Sequence, residues 1–183
     1  MLRTLLTRWI DGFETQWGYD ASYMRQVLSA SPATLLKFSL GTQAADRRAA
    51  PAEAIVAAAL AGVLSEDCGP CTQIGVDMAA AGGVSPEVLR AILAGDEPAM
   101  GEAAALAWRF ARASLARDME AADPLRDQIV RRWGEKGLVA ISMSLMTGRM
   151  YPTLKYALGH GKACSKVVVA GVAAPVAPMA KAA

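Results

Sequence analysis

Cysteine is scarce in this sequence, with three residues in 183, where small secreted scaffolds carry an even and dense set. That scarcity excludes a disulfide framework and points to a reducing, cytoplasmic setting. An excess of one charge sign is also missing. Lys and Arg number 19 and Asp and Glu 17, dispersed along the chain, which excludes the basic stripe of a nucleic-acid binder. Long apolar runs are missing too. The stretch from Met1 to Glu14 has no continuous apolar segment and no small-residue cleavage site, and Asp11 and Glu14 interrupt it, so no signal peptide is expected. Residues 167–180 fall short of the roughly 20 needed to span a bilayer and include Pro175 and Pro178, so no membrane span is expected. Strand-like alternation is confined to Lys166-Val-Val-Val, too brief to build a sheet.

What the chain has in quantity is alanine: 38 residues, which account for much of the 54% hydrophobic content beside only 6% aromatic. Alanine is the strongest helix former and a poor strand former, so the expectation is an all-α helical bundle, one domain over residues 1–166. Residues 167–183 read as a low-complexity C-terminal tail, with the part from Gly171 either disordered or an arm on a neighbouring subunit.

Periodicity and caps divide the chain further. Leu2, Leu5, Leu6, Trp9, Phe13 and Trp17 form one apolar stripe on a first helix, a core face or, with a sharper reading, a membrane-surface face. A second helix follows from Tyr19, and Ser31-Pro32 caps a third running to about Leu40. Pro51 to Leu64 is so apolar that its helix must be buried nearly all round. Ser85-Pro86-Glu87 opens a short helix closed by Gly95, and a long one is expected from about Pro98 to Arg117. Asp123-Pro124 marks the start of a helix reaching Trp133, and a last helix spans about Leu138 to Leu158 with a kink near Pro152.

Between two of these helices stands Ser65-Glu-Asp-Cys68-Gly-Pro-Cys71. Two cysteines three residues apart come within bonding distance when the first begins a helix, because one turn carries the second back over it. The free N–H groups and positive dipole end stabilise a thiolate there. Ser65 or Asp67 is a candidate cap. Helix geometry alone makes Cys68 the more exposed and the attacking sulfur, with Cys71 resolving it, and Glu66 and Asp67 are acids close enough to relay protons. A thioredoxin fold is excluded, since it sets such a pair after a buried strand and the preceding stretch here is helical. The rival chemistry is zinc: His160 and Cys164, four apart, would join Cys68 and Cys71 in a Cys3His site. No metal or organic cofactor belongs to the preferred reading. Gly159-His-Gly lacks the strand a phosphate loop needs, and the Met-rich residues 142–150 read as adaptable packing.

The segment Ser65 to Gln73, followed by Asp77-Met-Ala-Ala-Ala-Gly-Gly-Val-Ser-Pro-Glu-Val-Leu, resembles the AhpD-like branch of the carboxymuconolactone decarboxylase superfamily. The resemblance is strongest over about residues 51–95 and extends to about 165. It implies an all-α homo-oligomer that reduces peroxide with a cysteine pair, re-reduced by a thioredoxin-like or lipoyl partner. It also implies a histidine one turn after the second cysteine and a glutamate on the preceding helix. Here those positions hold Gly75 and, nearly, Val56. The catalytic candidates are therefore Cys68, Cys71 and Glu66, with Glu53, Asp67 or His160 left to serve as proton relay. Family members place the second cysteine nearer the relay, which opposes the helix-end argument for Cys68, so the roles of the two stay open. A different class of function, a non-catalytic helical oligomer or binding module with structural or zinc-bound cysteines, stands as the alternative.

Overall fold

The computed structural model describes residues 1–43, 45–161 and 166–177. Among them the chain forms α1 (Leu2–Trp17), α2 (Ser22–Ala30), α3 (Pro32–Gly41), α4 (Ala52–Ser65), α5 (Gly69–Ala81), α6 (Pro86–Ala94), α7 (Glu97–Met100), α8 (Glu102–Ala116) and α9 (Met119–Ala157). Two short antiparallel strands, β1 (Val168–Val169) and β2 (Val172–Ala173), close the described chain. The molecule is mostly helical, as the alanine content requires. No helix among the described residues is long and apolar enough to cross a membrane.

The expected caps form at Ser31, whose hydroxyl accepts from Thr34 N, and at Ser85, which accepts from Val88 N. Two boundaries differ from expectation. Gly101, at φ 78° and ψ 160°, splits the long helix into α7 and α8, with Asp96 capping the first piece. Asp118 rather than Asp123 caps α9, its side chain accepting from Ala121 N, and Pro124 sits inside the helix. Both aspartates offer the same capping oxygen, and the earlier one wins because the residues between them are good helix formers. The interruption expected between Trp133 and Leu138 is Gly134, whose φ of 70° breaks the regular conformation within α9.

α4 is the centre of the bundle, packed against α8 and α9. Its small side chains let neighbours approach closely: Ala54, Ala57, Ala58 and Ala61 are fully buried. Glycine is required at two points of that approach. A Cβ on Gly62 would collide with the Leu145 carbonyl oxygen, and one on Gly148 with that of Ala59. Trp108, Leu60, Ile92, Leu93 and Ile129 fill the rest of the main core.

A second apolar cluster joins α1–α3 to this bundle. Leu6, Ile10, Tyr23, Met24, Leu28 and Leu35 meet Ile74 of α5 and Tyr151 and Leu154 of α9. The stripe on α1 is only partly core: Leu6 is buried, but Leu2, Leu5 and Trp9 are exposed. α1 contacts chiefly α2 and α3, which together cover one side of it.

At the other end of the chain, residues 167–177 pack against the helical bundle. Val167 and Val169 enter the main core, and Gln73 grips the Val168 backbone, donating to its carbonyl (3.0 Å) and accepting from its N–H (2.6 Å). Ala177 N–H bonds the Leu93 carbonyl at 2.8 Å. In place of the disorder or intersubunit arm expected from Gly171 onward, residues 171–177 pair with β1 and bond the Val167 and Leu93 carbonyls through Ala174 and Ala177. Residues 178–183 lie outside the described chain.

Candidate functional site

The turn between α4 and α5 presents the cysteines. Glu66 closes α4, Asp67 takes a left-handed φ of 53°, and Cys68, extended at φ −109° and ψ 91°, precedes the first residue of α5. Thr72 holds the Cys68 carbonyl with both its N–H (2.8 Å) and its hydroxyl (3.0 Å). One turn on, Cys71 comes back over Cys68: their Cα atoms are 5.3 Å apart and the sulfurs are within disulfide distance. The expected side-chain caps do not form. Ser65 donates instead to the Gly62 carbonyl, one turn back in α4, and α5 starts without a capping side chain. Nor is Cys68 the more exposed sulfur. Both cysteines are 4% exposed, packed with Val63, because the turn is held beneath α9 and the α1–α3 layer.

Of the acids and bases singled out in the sequence, the structure brings two to the turn and leaves two elsewhere. Glu66 bonds Arg149 Nε (2.6 Å) and accepts from the Thr153 hydroxyl (3.2 Å), tying the turn to α9. Asp67 contributes its backbone carbonyl to the Tyr156 hydroxyl at 2.7 Å. Glu53 stands in the first turn of α4, roughly 18 Å along the helix from Ser65 at about 1.5 Å per residue. His160 is fixed to α2, its Nδ1 3.0 Å from the Ser22 hydroxyl and its Nε2 2.7 Å from Gln26 Oε1. Cys164, the other member of the zinc set, lies outside the described residues. Among those described, no group of three or more His, Cys, Asp or Glu side chains is placed to hold a metal ion.

What meets the cysteines is a set of side chains that sequence reasoning passed over. The Tyr19 hydroxyl lies 3.7 Å from Cys71 Sγ. A disulfide sulfur carries no hydrogen, so the phenol is the donor. The Tyr19 and Tyr23 rings stand edge to face with centroids 6.4 Å apart. Lys155 of α9, itself 4% exposed, places Nζ 5.2 Å from the centre of the Tyr19 ring. Tyr151 packs nearby and shares a 2.8 Å hydrogen bond with Thr42. With Tyr156 on the Asp67 carbonyl, two of the chain's four tyrosines contact the cysteine turn directly. Their rarity was the only available signal.

Burial sets the electrostatics of this cluster. It pushes the Tyr19 phenol above its ordinary value, opposed by the neighbouring Tyr23 and reinforced by Asp20 and Tyr151. Tyr23 is driven higher still, again mainly by burial, and Tyr151 rises for the same reason. Lys155 is lowered by loss of water, with the Asp20 carboxylate partly offsetting that. Asp20 is held below the usual carboxylate range by the backbone and side chain of Ser22, with Lys155 and His160 assisting.

Gly75 and Val56, where the resembling family has its histidine and glutamate, both line one cavity of about 300 Å³ between α4, α5 and α9. Leu60, Val63 and Met78 share its wall, and Arg47 is its single charged lining residue. Val63 packs on the cysteine pair as well as lining this cavity, so the space lies beyond Val63 from the disulfide. No family model, curated protein or solved structure matches the chain.

Proposed function

We propose that this chain is a thiol-dependent oxidoreductase that cycles Cys68 and Cys71 between dithiol and disulfide, in the manner of the AhpD-like proteins it resembles. The carrying observation is the pair itself, within bonding distance at the start of α5. In the reducing half, a thioredoxin-like or lipoyl dithiol gives two electrons and two protons, its own disulfide forming as the Cys68–Cys71 bond breaks. In the oxidising half, a hydroperoxide takes them, leaving an alcohol and water, or a protein disulfide takes them and becomes a dithiol. The apolar character of the Gly75 and Val56 positions favours disulfide exchange over fast peroxide reduction, since neither position offers a base. A homo-oligomer in a reducing, cytoplasmic compartment completes the proposal.

Burial of both sulfurs favours one other reading, a structural staple. A loop this short gives such a crosslink only about 2 kcal/mol of chain-entropy stabilisation, which weakens that reading. Titrating the protein's thiols against a defined dithiol/disulfide buffer, with zinc measured on the same sample, separates the two. A reversible two-electron transition lost in Cys68→Ser and in Cys71→Ser is expected. Thiols that ignore the buffer, or stoichiometric zinc, would overturn the proposal.

A further inference from the structure

Resting on that dithiol reading, the geometry points to Tyr19 as the group that receives the thiolate of Cys71, with Lys155 as the positioning charge behind it. This assigns Cys71 as the leaving sulfur on reduction and Cys68 as the sulfur attacked.

Tyr19 is the side chain whose polar hydrogen points at a cysteine sulfur, 3.7 Å from Cys71 Sγ, and Cys68 has no such donor among the described residues. The phenol faces Cys71 Sγ, and because a disulfide sulfur carries no hydrogen, the hydrogen of that contact is the phenol's own. A sulfur in a disulfide is a poor acceptor and a thiolate a strong one, so this bond strengthens as the disulfide opens. The groups facing the phenol are Tyr23 from α2, Asp20 from the α1–α2 turn, and Tyr151 and Lys155 from α9. Lys155 is the one cation among them, seated against the ring with little water to screen it. Asp20 spends its carboxylate on the Ser22 N–H at 2.9 Å.

The step balances without any group beyond a partner dithiol. The partner's thiolate attacks Cys68 Sγ, forming the mixed disulfide, and the Cys68–Cys71 electron pair leaves on Cys71 Sγ. Tyr19 O–H and the Lys155 charge hold that anion. The partner's second thiol then loses its proton to solvent and attacks its own first sulfur, releasing Cys68 as a thiolate that water protonates. A leaving thiolate of lower energy departs faster, so the donor at Cys71 directs attack to Cys68. Tyr19 reaches Cys71 from the α1–α2 turn, whereas the resembling family draws its histidine from the helix that follows the cysteines.

The test is the Cβ chemical shift of Cys68 and Cys71 against pH in the chemically reduced protein, read separately for each cysteine. Tyr19→Phe, which keeps the ring, is expected to move the Cys71 midpoint up by about one pH unit, roughly tenfold less thiolate below it, and to leave Cys68 in place. Lys155→Met is expected to shift Cys71 in the same direction, and Lys155→Arg to restore it. This second series stands alone if Tyr19→Phe unfolds. No shift at Cys71 in a folded variant, or equal shifts at both cysteines, would overturn the assignment. Because the titration needs no turnover, a protein that fails to cycle in redox buffer sinks the dithiol reading while the Tyr19 contact is still judged on its own.

Discussion

Two glycines in helix interiors predict opposite outcomes for the same substitution. Replacing glycine by alanine in an exposed helix gains about 1 kcal/mol, because the backbone loses less freedom on folding. Gly12 in α1 meets nothing within 4 Å of a built Cβ, so Gly12→Ala should realise that gain. Gly148 in α9 faces the Ala59 carbonyl oxygen, a backbone atom that cannot rotate away, so α9 must shift from α4. Overpacking of this kind costs about 1–3 kcal/mol, or more where backbone must move, and exceeds the helix gain. At about 2–4 °C per kcal/mol for a domain of this size, Gly12→Ala should raise Tm by about 2–4 °C and Gly148→Ala lower it by several degrees. Thermal unfolding followed by circular dichroism measures both. A Gly148→Ala protein as stable as the wild type would refute the close helix approach that holds Arg149 and Thr153 over the Glu66 turn.

A base at the position where the resembling family has its histidine is testable by Gly75→His. A Cβ there comes 3.1 Å from Leu60 Cδ2, the movable end of a side chain, and the adjoining cavity of about 300 Å³ can take the ring. Peroxide consumption should rise by about 10²-fold or more, within the range that a placed base supplies, and further with Val56→Glu. An unchanged rate in a folded variant would mean that the relay is not what limits the reaction. Alkaline titration offers a third check. Tyr19, Tyr23 and Tyr151 are all raised from the ordinary value of 10.0, so above pH 10 the unfolded chain binds fewer protons than the folded one and stability must fall as pH rises. Lys155 acts oppositely: lowered from 10.5, it makes stability rise with pH below that value. Tyrosinate absorbance from these three should therefore appear together with unfolding, and free titration near pH 10 in the folded protein would contradict their burial.

Local chemistry was readable. Ser31-Pro32 and Ser85-Pro86 carry their caps within four residues, so short-range hydrogen bonds were enough to place α3 and α6. The Cys68–Cys71 pair was equally local, since one helical turn closes the distance. Choices between equivalent local signals were not readable: Asp118 and Asp123 are both fit to cap α9, and Gly101 divides a helix whose apolar pattern runs straight through it.

By itself, then, the sequence determined that alanine-rich segments become helices and that two cysteines meet at the start of one of them. Tertiary structure decided what surrounds those cysteines. Tyr19 reaches Cys71 from 52 positions away, and Lys155 arrives from the last turns of α9. No periodicity encodes such meetings, because they depend on how closely α4 and α9 approach at Gly62 and Gly148 and on which side of α1–α3 is covered. Burial then gives those distant groups their chemistry, taking water from a lysine and three phenols that the sequence alone presents as ordinary surface residues.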